Sequence, residues 1–141
     1  MNRSEFLKAV TVKHETIKLE SIEMEVTIKE PTITESQKIE SVRQKVLSGA
    51  ATNQDLIIEA CRYAMVEPEF FTDDELANIS ATGMGILTEI YMRLPEIGMS
   101  EKQKEDYRSR LIESFNNGLS KILSDEELEK KPSKKKGLDL N

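Results

Sequence analysis

Hydrophobic and polar positions alternate one for one across residues 22–29. Ile22, Met24, Val26 and Ile28 interleave with Glu23, Glu25, Thr27 and Lys29. A period of two places one set on each face of a strand, so this stretch reads as a half-buried β-strand. Ile17 and Leu19 alternate in the same way with Thr16, Lys18 and Glu20. Together they predict a β-hairpin over about 14–29. A two-residue turn at Glu20-Ser21 would set Leu19 opposite Ile22, Ile17 opposite Met24 and Lys18 opposite Glu23. Glu-Ser is a poor pair for a tight primed turn, which argues for a longer loop. His14 falls at the strand's edge and reads as an exposed strand-end residue. Before the hairpin, Phe6, Leu7 and Val10 allow one or two helical turns after Ser4. Pro31 ends the ladder, because proline has no N–H to donate.

Beyond Pro31 the period becomes helical. Thr34-Glu35-Ser36-Gln37 has the form of a capping box, and Ile39, Val42, Val46 and Leu47 follow at helical spacing up to Gly49. Thr52 caps a second helix whose apolar stripe is Leu56, Ile57, Ala60, Cys61, Ala64 and Met65, stopped by Pro68. Thr72-Asp73-Asp74-Glu75 is another capping box, with Phe71 and Leu76 at the two positions of a hydrophobic staple. Gly83 and Gly85 predict a break in the helix that follows. Ile86, Leu87, Ile90, Tyr91 and Leu94 form the next stripe, ended by Pro95 and Gly98. Ser100 and Gln103 cap the most regular helix, with Tyr107, Leu111, Ile112, Phe115, Leu119 and Ile122 on one face. After Ser124 no apolar period remains, and 125–141 reads as a charged, solvated, flexible tail. The fold class is therefore α+β: an N-terminal β-hairpin, a bundle of four to five short helices over 1–124, and a disordered C-terminal tail. Helices of this kind are expected to bury their apolar faces against one another and the sheet.

Composition narrows the chemistry. The 141 residues carry 33% charged side chains, 5% aromatics and a net charge of −6. An acidic chain is a poor general binder of duplex DNA, which needs lysines and arginines facing phosphates. No apolar run approaches the ~20 residues of a membrane span. The first residues lack the layout of a signal peptide, so a cytoplasmic protein is expected. One histidine and one cysteine cannot build a structural zinc site of about four ligands, and one cysteine forms no internal disulfide. Cys61 lies inside an apolar stripe and reads as a buried structural thiol. There is no phosphate-binding glycine loop. No cofactor, metal or catalytic residue is expected, and no enzyme.

The order of features resembles the tail assembly chaperones of long-tailed bacteriophages and prophages. The residues carrying the resemblance are the strand pair ending at Pro31-Thr32, the segment from Leu56 to Pro68, and Phe71-Thr72-Asp73-Asp74-Glu75-Leu76 leading to a helix that ends near Leu94. Ala60-Cys61, Glu67-Pro68, Phe71 to Leu76 and Glu89-Ile90 match the family pattern, over roughly residues 10–120. Arg62-Tyr63-Ala64-Met65 departs from it in being more polar. The resemblance implies an assembly factor that coats the tape-measure protein, a long and largely helical chain. Such a factor keeps that client soluble, helps recruit tail-tube protein, acts in the host bacterial cytoplasm and is absent from the mature virion; coating a long client also favours self-association, because neighbours add contacts along a repetitive track. Family members often have a longer form made by programmed frameshifting, and the codons of Lys134-Lys135-Lys136 can supply a slippery sequence.

Two surfaces are candidates for partner binding. Phe70, Phe71, Tyr91, Met92 and Met99 could contact a helical client through helix-in-groove packing. Lys130, Lys131, Lys134, Lys135 and Lys136 form a candidate docking tail. The alternatives are a small acidic adaptor or secretion-type chaperone with one dedicated protein partner, and a regulator that reaches nucleic acid through the basic tail.

Overall fold

A computed structural model describes residues 2–139, with side chains described over 2–124. The charged tail expected over 125–141, with its lysines, lies outside the residues described with side chains. The sequence reads above as one domain over 1–124; the chain's contacts gather into two compact units, Met1–Gly98 and Met99–Asn141.

The first unit is α+β. Helix α1 (Arg3–Val10) starts two residues earlier than expected, capped by Asn2 rather than Ser4, with the Asn2 side chain accepting the Glu5 N–H at 2.8 Å. Its Phe6, Leu7 and Val10 are exposed. Strands β1 (His14–Leu19) and β2 (Met24–Lys29) form the expected antiparallel hairpin, with His14 exposed at its edge. The register differs by two residues. Leu19 pairs with Met24, Ile17 with Val26 and Lys18 with Glu25, around a loop spanning Glu20 to Glu23. A shift of two preserves every side chain's face, so the hydrophobic pattern fits both registers equally. The longer loop is held by Glu89, which accepts the Glu20 N–H at 2.9 Å and the Ser21 hydroxyl at 2.6 Å. Glu23 takes a left-handed φ of 52° to close it. On the outer face the Thr16 and Thr27 hydroxyls hydrogen-bond at 3.0 Å.

Helix α2 (Ile33–Leu47) begins two residues before the expected box. Thr32 is the cap: its hydroxyl accepts the Glu35 N–H, and the Glu35 carboxylate accepts the Thr32 N–H. Thr32 itself is extended, and Glu35 gains a second partner in Lys29 at 2.7 Å. Gly49, at φ 82°, turns the chain away as expected. Helix α3 (Asn53–Ala64) carries the Thr52 cap, completed by Asp55. It ends at Ala64, short of Pro68, and runs into a third strand, β3 (Met65–Glu67), which pairs antiparallel with β2. The sheet order is β1-β2-β3. Three residues are too few to show a period, so this strand left no trace in the pattern.

The Thr72 capping box with Glu75 opens α4 (Asp73–Ala77). The break predicted at Gly83 and Gly85 falls instead at 78–80. Ser80 caps a fresh helix, α5 (Ala81–Arg93), with both glycines inside it. The Gly83 N–H donates to the Ser80 hydroxyl at 3.0 Å. A Cβ at Gly83 would come within 3.0 Å of the Ile79 methyl, so glycine lets the two segments close up. A 3-10 turn (Leu94–Glu96) follows, and Gly98 at φ 82° ends the unit.

The core lies between the sheet and helices α3 and α5. Leu19, Ile28, Cys61, Leu87 and Ile90 are its fully buried side chains. A smaller cluster of Ile39, Leu56 and Ala60 joins α2 to α3. Cys61 is fully buried, its thiol 3.4 Å from the Leu87 carbonyl, and burial pushes its pKa up to about 12. It should therefore resist alkylation at pH 8 in the native protein and react at an ordinary rate in denaturant. Fast native labelling, followed by mass, would contradict this packing.

Two carboxylates link folding to pH. Burial alone would raise the Glu35 pKa. The Lys29 ammonium and the Thr32 N–H outweigh it and hold the carboxyl below its usual 4.5. Glu89 behaves likewise: burial raises it, but the Ser21 hydroxyl and the Glu20 N–H lower it further. A depressed folded-state pKa contributes stability that is present above the unfolded value and is lost as pH falls through the folded one. Melting temperature should hold near neutrality and drop below about pH 4.5, with a smaller acid-induced drop in Glu35→Gln and Glu89→Gln. Variants with an undiminished acid drop would show that these carboxylates are not its source.

The second unit is α6 (Glu101–Asp139). Its start has the expected cap: the Gln103 N–H donates to the Ser100 hydroxyl at 3.2 Å, and the Gln103 side chain accepts the Ser100 N–H at 2.8 Å. Of its expected apolar face Tyr107 is half-buried, and the rest is exposed. Leu111, Ile112, Phe115, Leu119, Ile122 and Leu123 stand 40–70% exposed. A helix that forms a unit alone has no second element of that unit to pack against.

Candidate functional site

The first unit carries an apolar pocket of about 200 Å³. Leu19, Ile22, Met24 and Val26 of the hairpin line one side. Met65, Pro68 and Phe71 line the segment around β3. Ile79, Gly83, Ile86, Leu87 and Ile90 come from the approach to α5 and from α5 itself. Every lining side chain is apolar. Leu19, Val26, Leu87 and Ile90 are buried at its floor, whereas Ile22 and Met24 are 38% and 55% exposed.

The segments that line it are acidic in sequence. The hairpin loop carries Glu20 and Glu23, β2 carries Glu25 opposite Lys18, and the β3–α4 segment carries Glu67, Glu69, Asp73, Asp74 and Glu75, all exposed. Neither 20–25 nor 65–75 contains a lysine or arginine. An apolar recess lined by acidic segments suits an apolar side chain flanked by positive charge. It offers no converging polar groups for chemistry on a small molecule. Among the described residues no three His, Cys, Asp or Glu side chains gather to hold a metal ion.

The five residues singled out from the sequence take different positions. Phe71 lines the pocket. Phe70 packs on Phe71 with ring centroids 5.3 Å apart, and the Arg62 guanidinium covers it at 5.0 Å. Tyr91 is half-buried and packs against both clusters. Met92 is 50% exposed and does not line the pocket. Met99 belongs to the second unit. The polar stretch Arg62-Tyr63 turns to local contacts, Arg62 to Phe70 and Tyr63 beneath the Lys38 ammonium at 5.7 Å. Lys130, Lys131, Lys134, Lys135 and Lys136 lie outside the residues described with side chains.

Ile22 and Met24 were legible as one face of a strand but not as a pocket mouth. The two-residue shift in register puts Ile22 in the loop and leaves Met24 as the first residue of β2, opposite Leu19. Their signal was the poor turn propensity of Glu20-Ser21, which already argued for a longer loop. Comparison with family models, with curated proteins and with solved structures finds no match for this chain. No helix among the described residues is long and apolar enough to cross a membrane.

Proposed function

We propose that this protein is a tail assembly chaperone of a long-tailed phage or prophage. It binds the tape-measure protein in the host cytoplasm, keeps it soluble and helps recruit tail-tube protein. The observation that carries the reading is the apolar pocket of the first unit, lined by segments that are otherwise rich in exposed acidic residues. An amphipathic client helix can place one apolar side chain in this recess while its basic residues meet Glu20, Glu23, Glu67 and Glu69. The resemblance in feature order supports the same reading. The net charge of −6 would help keep a coated client in solution.

The test is affinity purification of the tagged protein from cells expressing the phage genes around it, read by mass spectrometry. The expected catch is a very long, mainly helical protein, recovered less well as salt rises. Recovery of one small globular partner instead would favour the acidic adaptor or secretion-type chaperone. Recovery of neither would contradict a binding role for the pocket.

A further inference from the structure

The exposed face of α6 has a symmetry that the client reading does not use. Around residue 117 the sequence has the same character in both directions. Leu111 mirrors Leu123, Ile112 mirrors Ile122, Ser114 mirrors Ser120, and Phe115 mirrors Leu119. We propose that α6 pairs antiparallel with α6 of a second copy of this chain, about a twofold axis beside residue 117.

A closed dimer requires a face complementary to itself under a twofold rotation. In this pairing Ile112 of each copy meets Ile122 of the other, and Phe115 meets Leu119. Ile112 and Leu119 are seven residues apart, as are Phe115 and Ile122, which is the spacing of a two-helix seam. Leu111 and Leu123 widen it. The area is of the right order: at roughly 200 Å² for a fully exposed large apolar residue, the exposed fractions amount to at most about 600 Å² per copy. The pair would cover at most about 1,200 Å², against the ~1,000 Å² a specific interface needs, which fits a weak dimer.

The near-mirror order of the face about residue 117 selects the antiparallel direction, which sets each Phe115 against the smaller Leu119 rather than against a second Phe115. Gly118 fits as well. Nothing lies within 4 Å of where its Cβ would be, so the backbone there is open to the Phe115 ring of a second copy. A glycine inside an exposed helix otherwise weakens it without return.

The test uses the purified full-length chain with no client present, so it is independent of the pocket's role. Sedimentation should show a monomer–dimer equilibrium in the micromolar range, as suits a seam of fewer than four turns. Phe115→Glu should raise the dissociation constant by about 30-fold or more, with helix content unchanged by circular dichroism. For direction, Leu111→Cys and Leu123→Cys proteins are oxidised singly and mixed, the buried Cys61 thiol being left in place. Disulfide forming mainly between the two different variants is the expected result. A monomer at several hundred micromolar, or Leu111→Cys protein that cross-links best to itself, would overturn the proposal.

Discussion

Leu87→Ala should be among the most damaging single substitutions in the first unit. Leu87 is 1% exposed and sits where α5 meets the sheet, against the hydrophobic cluster of Ile17, Leu19, Val26 and Ile28. Truncation removes the transfer free energy of the side chain and leaves a void. The surroundings cannot close over it, because the site already borders a recess of about 200 Å³. Leu→Ala changes of this kind cost about 3–5 kcal/mol, which in a unit of this size lowers the melting midpoint by roughly 10–25 °C. Thermal denaturation followed by circular dichroism reads this directly. A drop of only a few degrees would mean that α5 does not pack on the sheet as described.

Ile22→Glu should do the reverse, leaving the fold nearly intact and removing function. Ile22 is 38% exposed at the pocket mouth, on the loop held by Glu89. At a partly buried loop position such a change costs about 1 kcal/mol, well short of unfolding. At the mouth of an apolar recess, however, a new carboxylate would have to be desolvated by any entering side chain, at several kcal/mol. Client binding should fall by more than ~100-fold, and Met24→Glu should behave alike. Binding that survives either change with the fold intact would remove the pocket from the mechanism.

What could be read from the sequence divides along physical lines. Helix starts were legible wherever a hydroxyl stood three residues before an acid or amide, as at Thr52, Thr72 and Ser100. Thr32 escaped because two overlapping boxes, Thr32 to Glu35 and Thr34 to Gln37, compete there, and the tie of Glu35 to Lys29 favours the first. The hairpin was legible from its alternation. Its register was not, since a shift of two leaves the alternation unchanged and only Glu89, far along the chain, selects the loop. The break near Gly83 was placed by helix propensity alone, and a serine cap at Ser80 overrode it. Periodicity also reports that a helix has an apolar face without reporting what covers it. That is why the stripes of α3 and α6 look alike in sequence although one is buried and the other exposed. The pocket depends on where three separate segments end, and no local pattern carries that.

The most direct test of chaperoning is to co-express this protein with the tape-measure protein of the same genome and measure how much of the latter remains soluble. The wild-type chain should raise the soluble fraction several-fold, and Ile22→Glu, folded to the same extent, should not. A soluble fraction unchanged by the wild-type chain, or raised equally by both, would contradict a client-binding role for the pocket.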